Sequence, residues 1–350
     1  MFTVPNDPQK EYFVKSTQIQ LVSRPTGWPT ADNFSTVTVD LPDLEPGQVR
    51  VANDFMSVDP YMRGRMNDVK SYVPPFALHE TMTGGAVGRV LESRSDDVAV
   101  GSVVVHQLGW RDIAQGEASN FRTVREIEGV PTSAYLGILG MTALTAYVGL
   151  QDIAQMKQGD TVFVSGAAGA VGSAVGQIAR ILGAGRVIGS AGSAEKVDLL
   201  TGKYGFDAAF DYKQAPVRDQ LRTAAPDGID VYFDNVGGDH LEAALDSFKD
   251  GGRAALCGAI SAYNTVGATP GPDNMSNIVT RGLTLRGFTV GNFFDRFPAF
   301  AEDMTAWLTD GRISYDETVV DGIDRSVDAF LGMLRGENTG KMVVRISAAR

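Results

Sequence analysis

The chain has 350 residues, with 31 Lys or Arg against 42 Asp or Glu, for a formal charge of −11 and an isoelectric point near 4.8. That balance, without any run of basic residues, argues against nucleic acid or an anionic membrane as a general partner. One cysteine and three histidines exclude an intrachain disulfide framework and a zinc site built from four cysteines, while 43% apolar content fits a globular protein of two or three domains.

The first residues, MFTVPNDPQKEYFV, lack the cationic start and apolar stretch of a secretory signal, and nothing resembles a membrane span. The chain therefore reads as cytoplasmic. Up to about residue 138, short β-rich runs (FVKSTQIQLV, FSTVTV, QVRVANDFMSV, GAVGRVLES, GSVVVHQ) are each bounded by Gly, Pro, Asp or Asn. This is the pattern of an antiparallel, barrel-like domain. Apolar strands then alternate with helical stretches, and strands are expected at Thr161–Ser165, Arg186–Ser190, Ala208–Phe210, Ile229–Asp234, Arg253–Cys257 and Thr284–Val290. Such alternation predicts an α/β fold with a doubly wound, six-stranded parallel sheet. In the tail, strand candidates Thr318–Val320 and Met342–Ile346 flank a helix at Arg325–Leu334. They are expected to return to the first domain, giving one unit of residues 1–138 with 312–350 and a second of 139–311.

The glycines, 40 in all, exceed the usual ~7%, and the most informative of them follow Thr161. There a four-residue apolar strand runs into Ser165-Gly166-Ala167-Ala168-Gly169-Ala170-Val171-Gly172, and a helix opens with Val171, Val175, Ile178 and Leu182 at helical spacing. A dinucleotide pyrophosphate needs such a turn: backbone NH groups with no side chain in the way and a helix N-terminus facing the anion. An NAD site usually carries an acid about 20 residues further on, at the end of the second strand. Here that point falls on Gly192, followed by Ser193 and, one turn on, Lys196. Small residues beside a lysine suit the 2′-phosphate of NADPH, with Ser193 placed to cap the helix; Glu195, in a shifted register, is the competing ribose acid.

Other chemistries find little support. Cys257, His79, His106 and His240 are scattered without ligand spacing, and Cys257 reads as a buried thiol ending a strand. No Gly-x-Ser-x-Gly elbow occurs. Gly336-Glu-Asn-Thr-Gly-Lys341 imitates a phosphate loop but is one residue short and continues with Met342 in place of Ser or Thr. Hydride transfer to an electrophilic carbon needs no metal, only orientation, a donor near the carbonyl oxygen and a proton source. With histidine so scarce, neutral tyrosine hydroxyls are the natural donors.

Nine segments in order carry a family resemblance along nearly the whole chain: SVDPYMRGRM (57–66), GMTALTAYVGL (140–150), SGAAGAVGSAVGQIA (165–179), GSAEK (192–196), FDYK (210–213), FDNVGG (233–238), CGAISAYN (257–264), RGFTV (286–290) and GENTGKMVVRI (336–346). The chain resembles the zinc-free medium-chain dehydrogenase/reductases, the group containing leukotriene B4 12-hydroxydehydrogenase/prostaglandin reductase, 2-alkenal (double-bond) reductases and curcumin reductase. The resemblance implies a GroES-like domain joined to a Rossmann domain that binds NADPH. By the same resemblance, Gly169, Ala170, Val171 and Gly172 line the pyrophosphate, and Lys196 with Tyr212 holds the 2′-phosphate. Asn235, the run Cys257, Gly258, Ala259, Ile260, Ser261 and Tyr263, and Phe288, Thr289 and Val290 surround the nicotinamide ribose and carboxamide, while Asn338 reaches back from the tail. Tyr263 is then the candidate donor at the substrate carbonyl, and Tyr61 lines the pocket from the first domain. Trp28, Tyr72, the 107–120 stretch, Phe293 and Phe294 are expected as pocket walls. Met141 and Thr142 are placed either at the nicotinamide or in interdomain packing.

The expected activity is NADPH-dependent reduction of the C=C bond of α,β-unsaturated aldehydes and ketones: hydride to the β-carbon, an enolate stabilised by Tyr263 and the ribose hydroxyl, then α-protonation. A quinone reductase of the same superfamily and a noncatalytic NADPH-binding protein are the alternatives. The last strand, an exposed sheet edge, together with the resemblance, implies a homodimer.

Overall fold

The computed structural model describes residues 14–346. The N-terminal segment read above as non-secretory, and the outer ends of the expected first unit, at 1–13 and 347–350, lie outside the described residues. The first part of the chain forms β1 (Val14–Leu21), β2 (Phe34–Leu41), β3 (Gln48–Ser57), the short helix α1 (Tyr61–Arg65), β4 (Glu80–Thr81), β5 (Ala86–Ser93), β6 (Val103–His106), β7 (Ile113–Glu117) and β8 (Arg122–Thr123). Along β2 half-buried and exposed positions alternate, as expected of a strand with one wet face.

The second part continues with α2 (Met141–Val148), β9 (Thr161–Val164), α3 (Ala170–Ile181), β10 (Arg186–Ala191), α4 (Ala194–Gly202), β11 (Ala208–Asp211), α5 (Val217–Ala224), β12 (Ile229–Asp234), α6 (Gly238–Ser247), β13 (Phe248–Leu256), α7 (Ser276–Thr280), β14 (Thr284–Gly287) and α8 (Phe297–Thr309). Its six strands are parallel in the order β11-β10-β9-β12-β13-β14. Val162, Phe163 and Val164 in β9 are fully buried, because helices cover both faces of such a sheet. On α3, Val175 and Ile178 are fully buried while Val171 and Leu182 are only half-buried. The strand order reverses between β9 and β12, and a ligand crevice opens at the carboxyl ends of strands at such a reversal.

The tail forms β15 (Glu317–Asp321), α9 (Ser326–Leu334) and β16 (Lys341–Arg345). β16 pairs antiparallel with β3, with Val343 opposite Ser57, so the tail strands lie in the seven-stranded sheet of the first part. Phe330 of α9 meets Trp110 edge-on at 6.0 Å, and Trp110 stacks on Phe34 at 6.3 Å.

Three sequence expectations need correction. The last strand does not reach Val290. It stops at Gly287, and the chain enters a tight helical turn at Val290–Arg296. The cause is Phe288, whose ring leaves the strand line to pack edge-on against Phe233 at 6.3 Å and Phe293 at 6.4 Å. Gly149 leaves room for this packing: a Cβ there would lie 2.3 Å from Phe233 and 3.0 Å from Phe288. β13 begins at Phe248, five residues before the expected Arg253, because Gly251, with φ +72°, lets an irregular segment join the sheet. Within the stretch 107–120 expected as pocket wall, Trp110 is instead fully buried in the first core, where its ring area is worth most.

Candidate active site

Because the six strands are parallel, the segments after β9, β10, β11, β12, β13 and β14 all emerge along one edge of the sheet. The sequence-predicted residues 166–172, 192–196, 212, 235, 257–263 and 288–290 are those segments. Local geometry gives each glycine of the first turn its own reason. Gly166 adopts φ +58°, costly for a side chain, and Gly169 is the residue before the first turn of α3. At Gly172 a Cβ would stand 2.4 Å from the Gly166 carbonyl and 2.7 Å from Ala167 Cα. The turn is anchored by Ala167 N, which donates to Ser190 O at 2.9 Å. Together, the bare backbone and the N-terminus of α3, whose first NH groups have no partner within the helix, fit a pyrophosphate.

The tail closes this turn from the other side. Gly340 N donates to Ala168 O at 2.8 Å, and Asn338 Nδ2 donates to Gly340 O at 2.8 Å. Lys341, the end of the phosphate-loop look-alike, turns away: its buried ammonium donates to Val58 O (2.9 Å), Met342 O (3.0 Å) and Asp59 Oδ1 (3.0 Å). Removing either partner of a buried pair such as Lys341–Asp59 typically costs about 3–5 kcal/mol.

At the adenosine end, Ser193 caps α4 by accepting from Lys196 N at 3.4 Å. Tyr212 lies over Gly192, where a Cβ would come within 3.0 Å of the tyrosine hydroxyl. The Lys196 ammonium donates to Gly336 O at 2.7 Å. Partial burial, and then the nearby charge of Lys213, lower its pKa from the ordinary lysine value. Glu195 is exposed and engages Ser193 and its own backbone, which lower its pKa. Lys213, 5.8 Å from the Tyr212 ring centre, was missed in the sequence, although it closes the FDYK segment.

At the nicotinamide end, Asn235 Nδ2 donates to Ser165 O at 2.7 Å. Cys257 N and Gly258 N both donate to Asp234 O, at 2.9 and 3.0 Å. Burial pushes the Cys257 thiol up to about 12, so it stays a protonated thiol at neutral pH. Ile260 N, Ser261 N and the Ser261 hydroxyl donate to the carbonyls of Asn235, Val236 and Val236 at 3.3, 3.2 and 2.6 Å, which folds Ala259–Ser261 over the 235–237 turn. The Tyr263 hydroxyl sits over Gly258, where a Cβ would be 3.2 Å away, and receives Ala259 N at 3.5 Å. Burial raises its pKa above that of an ordinary tyrosine, against that hydrogen bond. Phe288 places its ring in the core behind the sheet, so the 288–290 segment offers mainly backbone to the crevice; Phe288 N itself donates to Leu256 O at 3.3 Å.

The first domain supplies the opposite wall. Burial, then the Asp59 carboxylate, raise the pKa of Tyr61, which also shares a hydrogen bond with Arg65. Tyr72 is 66% exposed as a residue, and the pKa of its hydroxyl is raised by burial and then by the charges of Tyr263 and Cys257. Arg63 Nε donates to Asn264 Oδ1 at 2.9 Å and another of its nitrogens to Gly27 O at 2.7 Å. The helix bearing Tyr61 is thereby tied to the loop bearing Tyr263. Trp28 and Phe294 are 54% and 57% exposed, and Thr142 is buried, with its hydroxyl donated to Gly137 O at 2.9 Å. None of the three histidines belongs to this crevice's hydrogen bonds: His106 lies against Asn53 at 2.9 Å, its pKa lowered to about 3 by burial, and His240 is likewise lowered to about 4. Among the described residues, no three His, Cys, Asp or Glu side chains are grouped as metal ligands, and no helix is long and apolar enough to cross a membrane.

This is the architecture of the dinucleotide-dependent oxidoreductases that join a parallel six-stranded sheet to a separate antiparallel β unit. Residues 17–124 match the N-terminal domain of oxidoreductases, and 170–307 the family described as zinc-binding dehydrogenase. A putative NADP-dependent oxidoreductase of Bacillus subtilis, YfmJ, is 45% identical over 94% of this chain and 97% of its own. The NADPH-dependent curcumin reductase of Escherichia coli is 38% identical over 93% and 96%. The crystal structure of CurA from Vibrio vulnificus in complex with NADPH superposes with a TM-score of 0.89, at 41% identity, over 95% of this chain and all of that one. The chain belongs to the family of NADP-dependent oxidoreductases that includes prostaglandin reductase 1, 2-alkenal reductase and curcumin reductase.

Proposed function

We propose that this chain uses NADPH to reduce the C=C bond of 2-alkenals and 2-alkenones. The observation that carries the reading is the tie between the two walls, where Arg63 of the helix bearing Tyr61 donates to Asn264, the residue after Tyr263, at 2.9 Å. Gly172 and Gly192 let the turn and Tyr212 close against the chain's own backbone, and the side-chain-free N-terminus of α3 beside them supports an anionic pyrophosphate there. Lys196 and Tyr212 would hold the 2′-phosphate, the Gly166–Gly172 turn the pyrophosphate, and Asn235 with 257–263 the nicotinamide side. Bound NADPH would supply the hydride to the β-carbon, and the α-carbon of the resulting enolate would take its proton from solvent water.

The chain's own part is orientation and charge. As negative charge builds on the substrate oxygen, the Tyr263 hydroxyl donates a hydrogen bond to it. Burial keeps that hydroxyl protonated through neutral pH. Tyr61 and Tyr72 hold the flat enone against the opposite wall. In this reading residues 1–138 with 312–350 carry the substrate wall and 139–311 the cofactor, in a cytoplasmic homodimer. The partner would lie along β14, the edge of the six-stranded sheet, near Val279 and Met275, which are 84% and 50% exposed.

The deciding experiment follows NADPH absorbance with a panel of enals, enones and quinones. Enal and enone turnover is expected. Turnover of quinones alone would overturn the reading, and tight NADPH binding without any turnover would favour a noncatalytic protein. A monomer by light scattering would remove the dimer.

A further inference from the structure

The last residue of β12 is an acid with 2% exposure, an expensive choice in a buried strand unless its hydrogen bonds are complete. One carboxylate oxygen of Asp234, Oδ1, receives four donors: the Tyr232 hydroxyl at 2.7 Å, Val236 N at 2.9 Å, Gly237 N at 2.7 Å and the Ser165 hydroxyl at 3.2 Å. Its main-chain carbonyl receives Cys257 N and Gly258 N. Three stretches far apart in sequence, at 165, 235–237 and 257–258, therefore meet on one residue. Ser165 passes the link on, accepting Asn235 N on its hydroxyl at 2.9 Å while its carbonyl takes Asn235 Nδ2.

We propose that Asp234 is a positioning residue that fixes the nicotinamide-end loops, with Asn235 and Tyr263, against the glycine-rich turn and so sets the approach of cofactor to substrate. The inference rests on the crevice being the NADPH site. Asp234 acts through other groups, since its Oδ1 is occupied by four donors of the chain itself. A neutral oxygen accepts such donors more weakly than a charged one, so the side chain's charge, beyond its shape, holds the three loops in register. The hydrogen bonds of this network stop short of Lys196 and Tyr212; Tyr212 is linked to it through packed rings alone, edge-on to His240 at 5.3 Å, which stacks on Phe163 at 6.5 Å, which in turn stacks on Tyr232 at 5.1 Å.

The test uses Asp234→Asn, which keeps the shape and one oxygen, and Ser165→Ala, which leaves Asp234 and removes one donor. Two probes separate the ends of the site: NADPH, and adenosine 2′,5′-bisphosphate, which presents only the adenosine end. The expectation is bisphosphate affinity within about twofold of the parent in both variants. NADPH should weaken about five- to tenfold in D234N and about threefold in S165A. With NADPH dideuterated at nicotinamide C4, the isotope effect on kcat should exceed the parent's in both, a change that a smaller folded fraction cannot produce. Equal weakening of both probes would reduce Asp234 to a structural residue and overturn the proposal, as would unchanged NADPH affinity with an unchanged isotope effect. Should the parent reduce no enone, the functional reading fails, while the two dissociation constants still decide the role of Asp234.

Discussion

The residues proposed for the adenosine end stand partly in solvent: Tyr212 is 39% exposed, and Lys196 is held by a single carbonyl of the tail. In the loops proposed for the nicotinamide end the groups are pinned by backbone hydrogen bonds and by Asp234, which is 2% exposed and shares its Oδ1 among four donors. A charged phosphate can be held by a cation whose neighbours adjust, because Coulomb attraction falls off gently with distance. Hydride transfer cannot, because reacting atoms must sit within about 3–3.5 Å and aligned. The glycine-rich turn joins the two and should serve both.

That places the largest expected effect in the turn. Gly172→Val puts a Cβ at 2.4 Å from the Gly166 carbonyl, and backbone cannot yield as a flexible side chain would. NADPH and adenosine 2′,5′-bisphosphate should both weaken by about a hundredfold in fluorescence or calorimetric titrations, with a lower melting temperature. Loss confined to one probe would break the claim that the turn serves both ends.

The next effect belongs to the nicotinamide end alone. Tyr263→Phe removes the donor above Gly258 while keeping the ring, so kcat should fall by about 30- to 100-fold with NADPH affinity within about twofold. An unchanged kcat would remove this hydroxyl from the reaction and leave Tyr263 a packing residue.

The sequence made the first turn legible because strand, glycines and helix are consecutive, so local spacing carries the whole structure from Thr161 to Ile181. The six parallel strands were legible for a similar reason, as buried strands are runs of apolar residues. Their ends were not: Phe288 looks like one more strand residue until Gly149 and Phe233, distant in sequence, give its ring a place. Within the 107–120 stretch, expected as pocket wall, the burial of Trp110 was not legible because an aromatic in a loop between strands has no periodicity to mark its side. The lysine of Gly336–Lys341 could be excluded from phosphate binding by spacing, but its true partner, Asp59, is 282 residues away. Lys213 and Asp234 sat inside family segments already noted, FDYK and FDNVGG. A charged residue ending a buried strand was the signal for Asp234; for Lys213 only the fold brings Lys196 alongside.

A smaller effect is expected at the adenosine end. Lys196→Ala should raise the Michaelis constant for NADPH by about 10- to 30-fold and leave that for NADH within about twofold, since a hydrogen bond to a charged group is worth about 1.5–3 kcal/mol and Lys213 remains nearby. Equal changes for both cofactors would refute the phosphate assignment and point instead to the lost tie between Lys196 and Gly336.

The smallest effect is one of pH, and it tests both ends at once. Lys196 has its pKa lowered by burial and by Lys213, so its ammonium loses charge below the ordinary lysine value of 10.5. Tyr263 has its pKa raised by burial, so its hydroxyl remains a donor above the ordinary 10.0. The cofactor's phosphate is already dianionic above about pH 7. As pH climbs toward 10.5, kcat/KM for NADPH should therefore start to decline through KM before kcat does, because kcat/KM reports the free enzyme's groups. The NADH profile, which does not need the lysine charge, should stay flat over the same range. If kcat falls before KM rises, the buried tyrosine is the weaker of the two groups, and the contrast between an adjustable charged end and a rigid end is wrong.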